Sequence, residues 1–321
     1  MNQIEDTNTF LFDKQRFSEN DHWMLDHLIY ECIMGSHAYG CQNEDSDTDI
    51  VGLVMDPHKN LYPQSYGFIL GFDQIPKFRN KEVKGEDKRI TLPNKMTCEG
   101  SWHCLTDFFH LVEAGSPNLT EVLFVKRHLV TFGSEIAWYL RDNRKTFLSM
   151  RMYHSFKGYA ISQFVRIQKE AYRWKTEGTC DNKNRIPLYE KTGFDSKMSY
   201  HTLRLLDLIH QLLTEGDLDL MRNKEECKAM RSGEWGNFEK FSQIFNERMG
   251  NLEKLSCELT AVPVQSLHEK LKSMLAHCIE MRYGSESLMQ KQTTEYVSVQ
   301  QLWDRLDNLE KNLKIIKQNS I

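Results

Sequence analysis

Residues Met34 to Leu53 read MGSHAYGCQNEDSDTDIVGL, and the order of features in this stretch decides the fold. An apolar run, IYECIM at 29–34, ends in the turn Gly35-Ser36; about ten residues later Asp47-Thr48-Asp49 leads into a β-branched run, TDIVGLVM at 48–55. Both runs have the length and composition of buried strands, and the turn-rich Gln42 to Ser46 between them predicts that they pair. Asp47 and Asp49 stand at i and i+2, so on a strand they project from one face. Two carboxylates so placed repel unless a cation lies between them, and Mg²⁺ commonly binds through one or two carboxylates plus substrate phosphates. Glycine lets backbone N–H groups approach phosphate oxygens, and the Ser36 hydroxyl adds a donor, the more so if a helix starts at His37-Ala38-Tyr39. Read apart, DSDTD is a solvated acidic turn and GSHAYG a tight hairpin. Read together, in this order, they predict a seat for a metal–nucleoside triphosphate.

Working outward, 97–103 (TCEGSWH) reads as a strand weakened by Gly100, and the polar, basic 74–96 as a loop or hairpin excursion. CLTDFFHLVEAG at 104–115 predicts a helix with Leu105, Phe108, Phe109, Leu111 and Val112 on its apolar side, and Ser116-Pro117 starts another, with Leu119, Val122, Leu123 and Val125 facing inward. Beyond about Gly133 helical periods take over. They predict helices over 149–176, 195–215, 224–232, 237–259, 264–282 and 297–317, with 178–193 as a loop. In the last helix Leu302, Leu306, Leu309, Leu313 and Ile316 form a heptad-like seam of only about two heptads. It packs on its own domain or mediates self-association. The expected class is α+β: a small mixed sheet with flanking helices over 1–133, then an all-helical domain over 134–321.

Composition sets the wider bounds. With 40% hydrophobic and 27% charged residues the chain is neither disordered nor a secreted disulfide scaffold. Eight scattered cysteines without a C-x-x-C pair read as reduced thiols, Cys32 and Cys104 as small core residues. No basic-then-apolar leader and no long apolar run is present, so a cytoplasmic protein with no membrane association is expected. A net charge of -4 implies no global attraction to nucleic acid, but residues 151–204 hold eleven Lys and Arg against five acids, with nine aromatics interleaved. Such a stretch stacks bases and neutralises phosphates, or its aromatics are core and its cations a solvated face. Lys197, His201 and Arg204, at i, i+4 and i+7, share one helix face on which a triphosphate or RNA backbone could rest. Arg231 and Glu234 are placed to pair at a helix end.

The strand, Gly-Ser, Asp-x-Asp order resembles the signature of the DNA polymerase beta superfamily of nucleotidyltransferases. Across the chain, GSHAYG and SDTDIVG within 35–52, FHLVEAGSPNLTEVLF at 109–124, GFDSKMSYHTLRLLDLIHQLLTEG at 193–216 and AMRSGEWGNFEKF at 229–241 resemble the RNA-repair-pathway branch found in bacteria and phages. Relatives often carry arginine where this chain has Val51 and aspartate where it has Glu99. The resemblance implies Mg²⁺ (or Mn²⁺) held by Asp47, Asp49 and a third carboxylate on a later strand, Glu99 by position or, less readily, Asp107 on the following helix. It implies nucleotide binding by Gly35, Ser36, Tyr39, Lys197, His201 and Arg204. The implied reaction moves an NMP from an NTP to an acceptor, with an RNA end suggested by association. Two other readings stay open: transfer to a protein or small molecule, and a non-catalytic nucleotide-binding or interaction protein.

Overall fold

The computed structural model describes residues 23–43, 46–62, 81–83, 90–91, 97–258 and 260–284, with backbone alone for 25, 81–83, 90–91 and 97–99. The heptad-like seam at 302–316 and most of the excursion at 74–96 lie outside these residues. By its contacts the chain divides into two units, Met1–Leu275 and Ala276–Ile321, and the sheet belongs to the first.

Six strands form one mixed sheet among the described residues: β1 (Leu28–Ile33), β2 (Thr48–Val54), β3 (Lys81–Val83), β4 (Ile90–Thr91), β5 (Thr97–Cys104) and β6 (Val130–Gly133). Their order is β3-β5-β2-β1-β6, with β4 also on β5. Every residue of β1 is buried, as suits a central strand that is apolar but for Glu31, whose carboxylate accepts from Thr131 Oγ1 at 2.6 Å. β1 and β2 pair antiparallel with Ile33 opposite Ile50 and Tyr30 opposite Leu53. β2 and β5 run parallel, which sets Asp49 level with Glu99 and Gly52 level with Trp102.

The glycine inside β5 has a packing reason. The fully buried Trp102 indole lies across both Gly52 and Gly100, and a β-carbon at either would overlap the ring. Beneath it Met24, Leu28, Ile50, Val54 and Cys104 complete a core cluster flanked by Trp23 and Phe132. Cys32 and Cys104 are buried free thiols, as composition suggested.

Helices follow in chain order: α1 (Trp23–His27), α2 (Gly35–Ala38), α3 (His58–Leu61), α4 (Leu105–Glu113), α5 (Pro117–Thr120), α6 (Glu135–Asp142), α7 (Met150–Glu177), α8 (Ile186–Thr192), α9 (Ser196–Glu215), α10 (Lys224–Ser232), α11 (Phe238–Ser256) and α12 (His268–Tyr283). Asp56, just past β2, accepts hydrogen bonds from Thr106 N at 3.0 Å and Thr106 Oγ1 at 2.6 Å, so the end of a strand caps the first turn of α4. Asp195 does the same for α9, accepting from Met198 N at 2.9 Å. Past β6 the described elements are all helical or 3₁₀.

One expectation needs correction, and one pair of alternatives is decided. The segment 178–193 is not all loop: α8 occupies its second half, started by Pro187 in the first turn and ended at Gly193, the two punctuation marks of a short helix. The aromatics of 151–204 are mostly core. Tyr153, Phe156, Tyr189, Phe194 and Tyr200 are buried, and Phe164 stacks on Phe245 of α11 at 4.1 Å and 8°. Among the nine, Tyr159 and Tyr172 are exposed. No described helix is long and apolar enough to cross a membrane.

The Trp102 contact gives a direct test. Gly52→Ala forces a methyl into an indole with no room to retreat, and such overpacking costs about 1–3 kcal/mol. Urea denaturation should show the unfolding free energy lowered by that amount, as a lower midpoint with the slope unchanged.

Candidate active site

The end of β1 and the start of β2 are tied by Met34 N, which donates to Asp49 O at 2.7 Å. The next residue, Gly35, has φ +60°, and a β-carbon there would sit 2.8 Å from Asp49 Cγ and overlap its carboxylate. Only glycine meets both conditions, the left-handed backbone and the close approach. The chain then makes one turn, α2, closed by Cys41 N donating to Ser36 O at 2.8 Å and Gly40 N to His37 O at 3.1 Å. Asp47 lies one residue before β2, and it and Asp49 are half-buried on either side of the buried Thr48, so the two share a face.

Above this turn opens a cavity of about 660 Å³. Gly35, Tyr39, Asp49, Val51, His201 and Arg204 line it, together with Arg166 and Arg185 from the helical half. The structure thus gathers five of the residues singled out from sequence at one place. Ser36, Asp47 and Lys197 are not part of this lining. Lys197 lines a neighbouring cavity, yet both Asp47 and Asp49 act on its charge. Glu99 is fixed by backbone register alone, beside Asp49. Among the described residues no three His, Cys, Asp or Glu side chains gather as a ready-made metal site, and the Glu99 side chain is outside that set. Val51, where relatives often carry arginine, is a wall of the cavity.

Arg204 and Tyr39 are held from behind. Glu121 Oε2, fully buried, accepts from Arg204 Nη1 at 2.6 Å and from the Tyr39 hydroxyl, while the guanidinium lies 3.5 Å above the Tyr39 ring centroid. Burial pushes the Tyr39 phenol well above its ordinary value, so it stays a donor. Burial alone would lower Arg204, but Glu121 and Tyr39 hold it charged, above its usual value. This is a stacked, charge-assisted arrangement linking α2, the 3₁₀ turn Glu121–Phe124 and α9. The sequence signal for Glu121 was a lone acid inside the apolar run LTEVLF.

Arg231 was expected to pair with Glu234. Instead its Nη1 donates to Cys41 O, and its Nη2 to Ser46 Oγ at 3.2 Å and Asn43 Oδ1 at 3.4 Å, while Glu234 accepts from Ser232 Oγ at 2.8 Å. The arginine fork bridges to the loop between the Gly-Ser turn and the acid pair, a reach that no spacing within α10 could reveal. His201 stacks on Tyr200, and burial, then the charges of Arg204 and Lys197, hold its imidazole well below the ordinary histidine range. A neutral ring at this wall both donates and accepts.

A Gly-Ser turn pressed against the second acid of an Asp-x-Asp pair, on a mixed sheet facing a helical wall, defines a nucleotidyltransferase of the polymerase beta kind. Residues 13–295 match the profile of the RNA repair pathway DNA polymerase beta family, and the chain belongs to that family. Among solved structures, a nucleotidyltransferase-like protein from Exiguobacterium sibiricum 255-15 aligns at 9% identity over 98% of this chain and 91% of that one, with a TM-score of 0.26. No match was found among curated proteins.

Two outcomes test this geometry. Glu121→Ala leaves the Arg204 charge buried without its carboxylate, and breaking such a pair costs about 3–5 kcal/mol in chemical denaturation. For His201 the unfolded ring takes up its proton near 6.5 and the folded one resists it. The stability from a neutral His201 is therefore complete above that value and is lost as pH falls below it toward the folded value. Wild type should lose more stability on acidification through this range than His201→Gln, read from the two urea midpoints.

Proposed function

We propose that the protein transfers a nucleoside monophosphate from an NTP to an RNA end and releases pyrophosphate. The observation that carries this reading is the Asp49 carboxylate packed on Gly35 at the mouth of a cavity whose other walls carry Arg166 and Arg185. A carboxylate, a glycine turn suited to phosphate oxygens and two arginines in one cavity lining support a metal–triphosphate site. Paired carboxylates with hard oxygen donors suit Mg²⁺ or Mn²⁺, which Asp47, Asp49 and Glu99 would hold. Such a cation supplies charge neutralisation for the attacking oxygen and the leaving pyrophosphate.

The remaining roles fall to the chain itself. Gly35 and Ser36 present backbone N–H groups and a hydroxyl to the phosphate oxygens. Arg166 and Arg185 balance triphosphate charge, and Lys197 sits where it feels both acids. Neutral His201 positions a hydroxyl by hydrogen bonding, whereas Tyr39 and Arg204, committed to Glu121, act as a rigid floor under the nucleotide. In this scheme residues 1–133 carry the chemistry and 134–321 bind nucleotide and acceptor.

Incubation with labelled NTPs, Mg²⁺ and separate RNA, protein and metabolite pools checks the reading. Label should enter RNA, and Asp47→Ala or Asp49→Ala should lower transfer by at least about 100-fold. Gly35→Ala, which displaces the Asp49 carboxylate without removing it, should cost about as much through misplacement alone. Label entering the protein pool only would sink the RNA assignment.

A further inference from the structure

The second cavity, about 730 Å³, shares Arg185 with the first and is otherwise separate from it. Its described lining holds four cations, Arg185, Lys197, Lys228 and Arg231, and no carboxylate. Two of the four make no close ion pair among the described residues. Lys197 is half-buried and makes no ion pair there, and Arg231 spends its fork on neutral oxygens of Cys41, Asn43 and Ser46. The others are weakly compensated: Arg185 is 3.9 Å from Asp195, and Lys228 meets Glu225 at 3.3 Å on an exposed helix face. Burial, then Arg185 and Arg231, pull Lys197 below its ordinary value despite Asp47 and Asp49. Half-buried cations that repel one another are costly, and an anion is the partner that relieves them.

Charge alone would admit any polyanion, but the rest of the lining is more selective. Gln42, Asn43, Asn182 and Asn184 interleave with the cations. Carboxamides carry a donor and an acceptor side by side, the pattern that reads a base edge. Pro187 and Leu188 add an apolar face against which a ribose or base can lie. Phosphate, base edge and sugar are thus each provided for, whereas an acidic peptide would use only the cations.

We propose that this second cavity is the acceptor groove, binding the terminal nucleotides of a single-stranded RNA so that its end reaches the acid pair from the side opposite the triphosphate. The inference rests on the nucleotidyl-transfer reading above. Arg185 lines both cavities, and Lys197 on the second feels the charge of Asp47 and Asp49, so donor and acceptor phosphates approach most closely beside these two cations. Arg231 couples the groove to the loop that leads into Asp47.

The test measures RNA binding without chemistry. A short fluorescein-labelled single-stranded RNA is titrated with wild type, Lys228→Glu, Asn184→Ala and, as a charge-matched control, Lys175→Glu on the exposed end of α7, by anisotropy over a range of salt. Lys228→Glu should weaken binding on the order of tenfold and flatten the log–log salt slope by about 0.7, the contribution of one phosphate contact on a single strand. Asn184→Ala should weaken binding with the slope unchanged. Labelled MgATP should bind both variants as it binds wild type, and Lys175→Glu should match wild type throughout. Wild-type RNA affinity and slope in Lys228→Glu, while wild-type enzyme still labels RNA, would overturn the groove and leave the transfer reading standing. Failure of wild type to bind RNA while it binds MgATP would bring down both. Polyglutamate competing as well as unlabelled RNA at equal charge would make the site a general polyanion trap and end the nucleic-acid assignment.

Discussion

One carboxylate oxygen, Glu121 Oε2, accepts from both Tyr39 and Arg204 with no access to solvent. Taking an arginine and a glutamate out of water carries a desolvation cost of several kcal/mol per ion, offset only when geometry and further hydrogen bonds are good. Here the Tyr39 hydroxyl is a second donor and its ring stacks on the guanidinium, while Glu121 Oε1 and Arg204 Nε stay buried without a hydrogen-bond partner among the described residues. The turn that begins at Gly35 ends at Tyr39, so whatever fixes Tyr39 fixes the near end of the first cavity. Because Arg204 reaches it from α9, and Arg231 of α10 donates to Cys41 O just past the turn, polar contacts as well as apolar packing set the helices against the Gly-Ser turn.

The electrostatic arrangement follows from that anchoring. Asp47 and Asp49 are the acids at the centre, and cations stand on both sides: Arg166 and Arg185 along the first cavity, Lys197, Lys228 and Arg231 along the second. A net charge of -4 hides this local field. Arg185, Lys197 and Arg231 are partly buried, so their fields are screened less by salt than those of the exposed Arg166 and Lys228.

How much of this could be read from sequence differs by residue. The Gly-Ser turn, the acid pair, β1, β2 and the long helices were legible because local rules generate them: periodicity, a glycine turn, Asp195 as a cap, Gly216 as a stop. β5 was only half legible, since Gly100 argues against a strand until the Trp102 ring is seen lying over it. α8 was missed although Pro187 and Gly193 mark its ends. The Arg231 grip on Cys41 and the Arg204–Glu121 pair were out of reach, for they join residues 190 and 83 positions apart through folding of the whole unit. Lys197, His201 and Arg204 were read onto one face, but that face divides: His201 and the buried Arg204 line one cavity and Lys197 the other.

The hold of Arg231 on Cys41, Asn43 and Ser46 bears on how this architecture can be recombined. The linker that presents the acids is fastened to α10, an element more than 180 positions downstream, so sheet and helices are not interchangeable cassettes. A chimera that kept residues 1–133 and borrowed another relative's helices would inherit the acids without their tether. Conversely, lengthening that linker would leave the arginine fork closing on the wrong atoms. Exchange among relatives is therefore expected to move the linker and α10 together, as a matched pair.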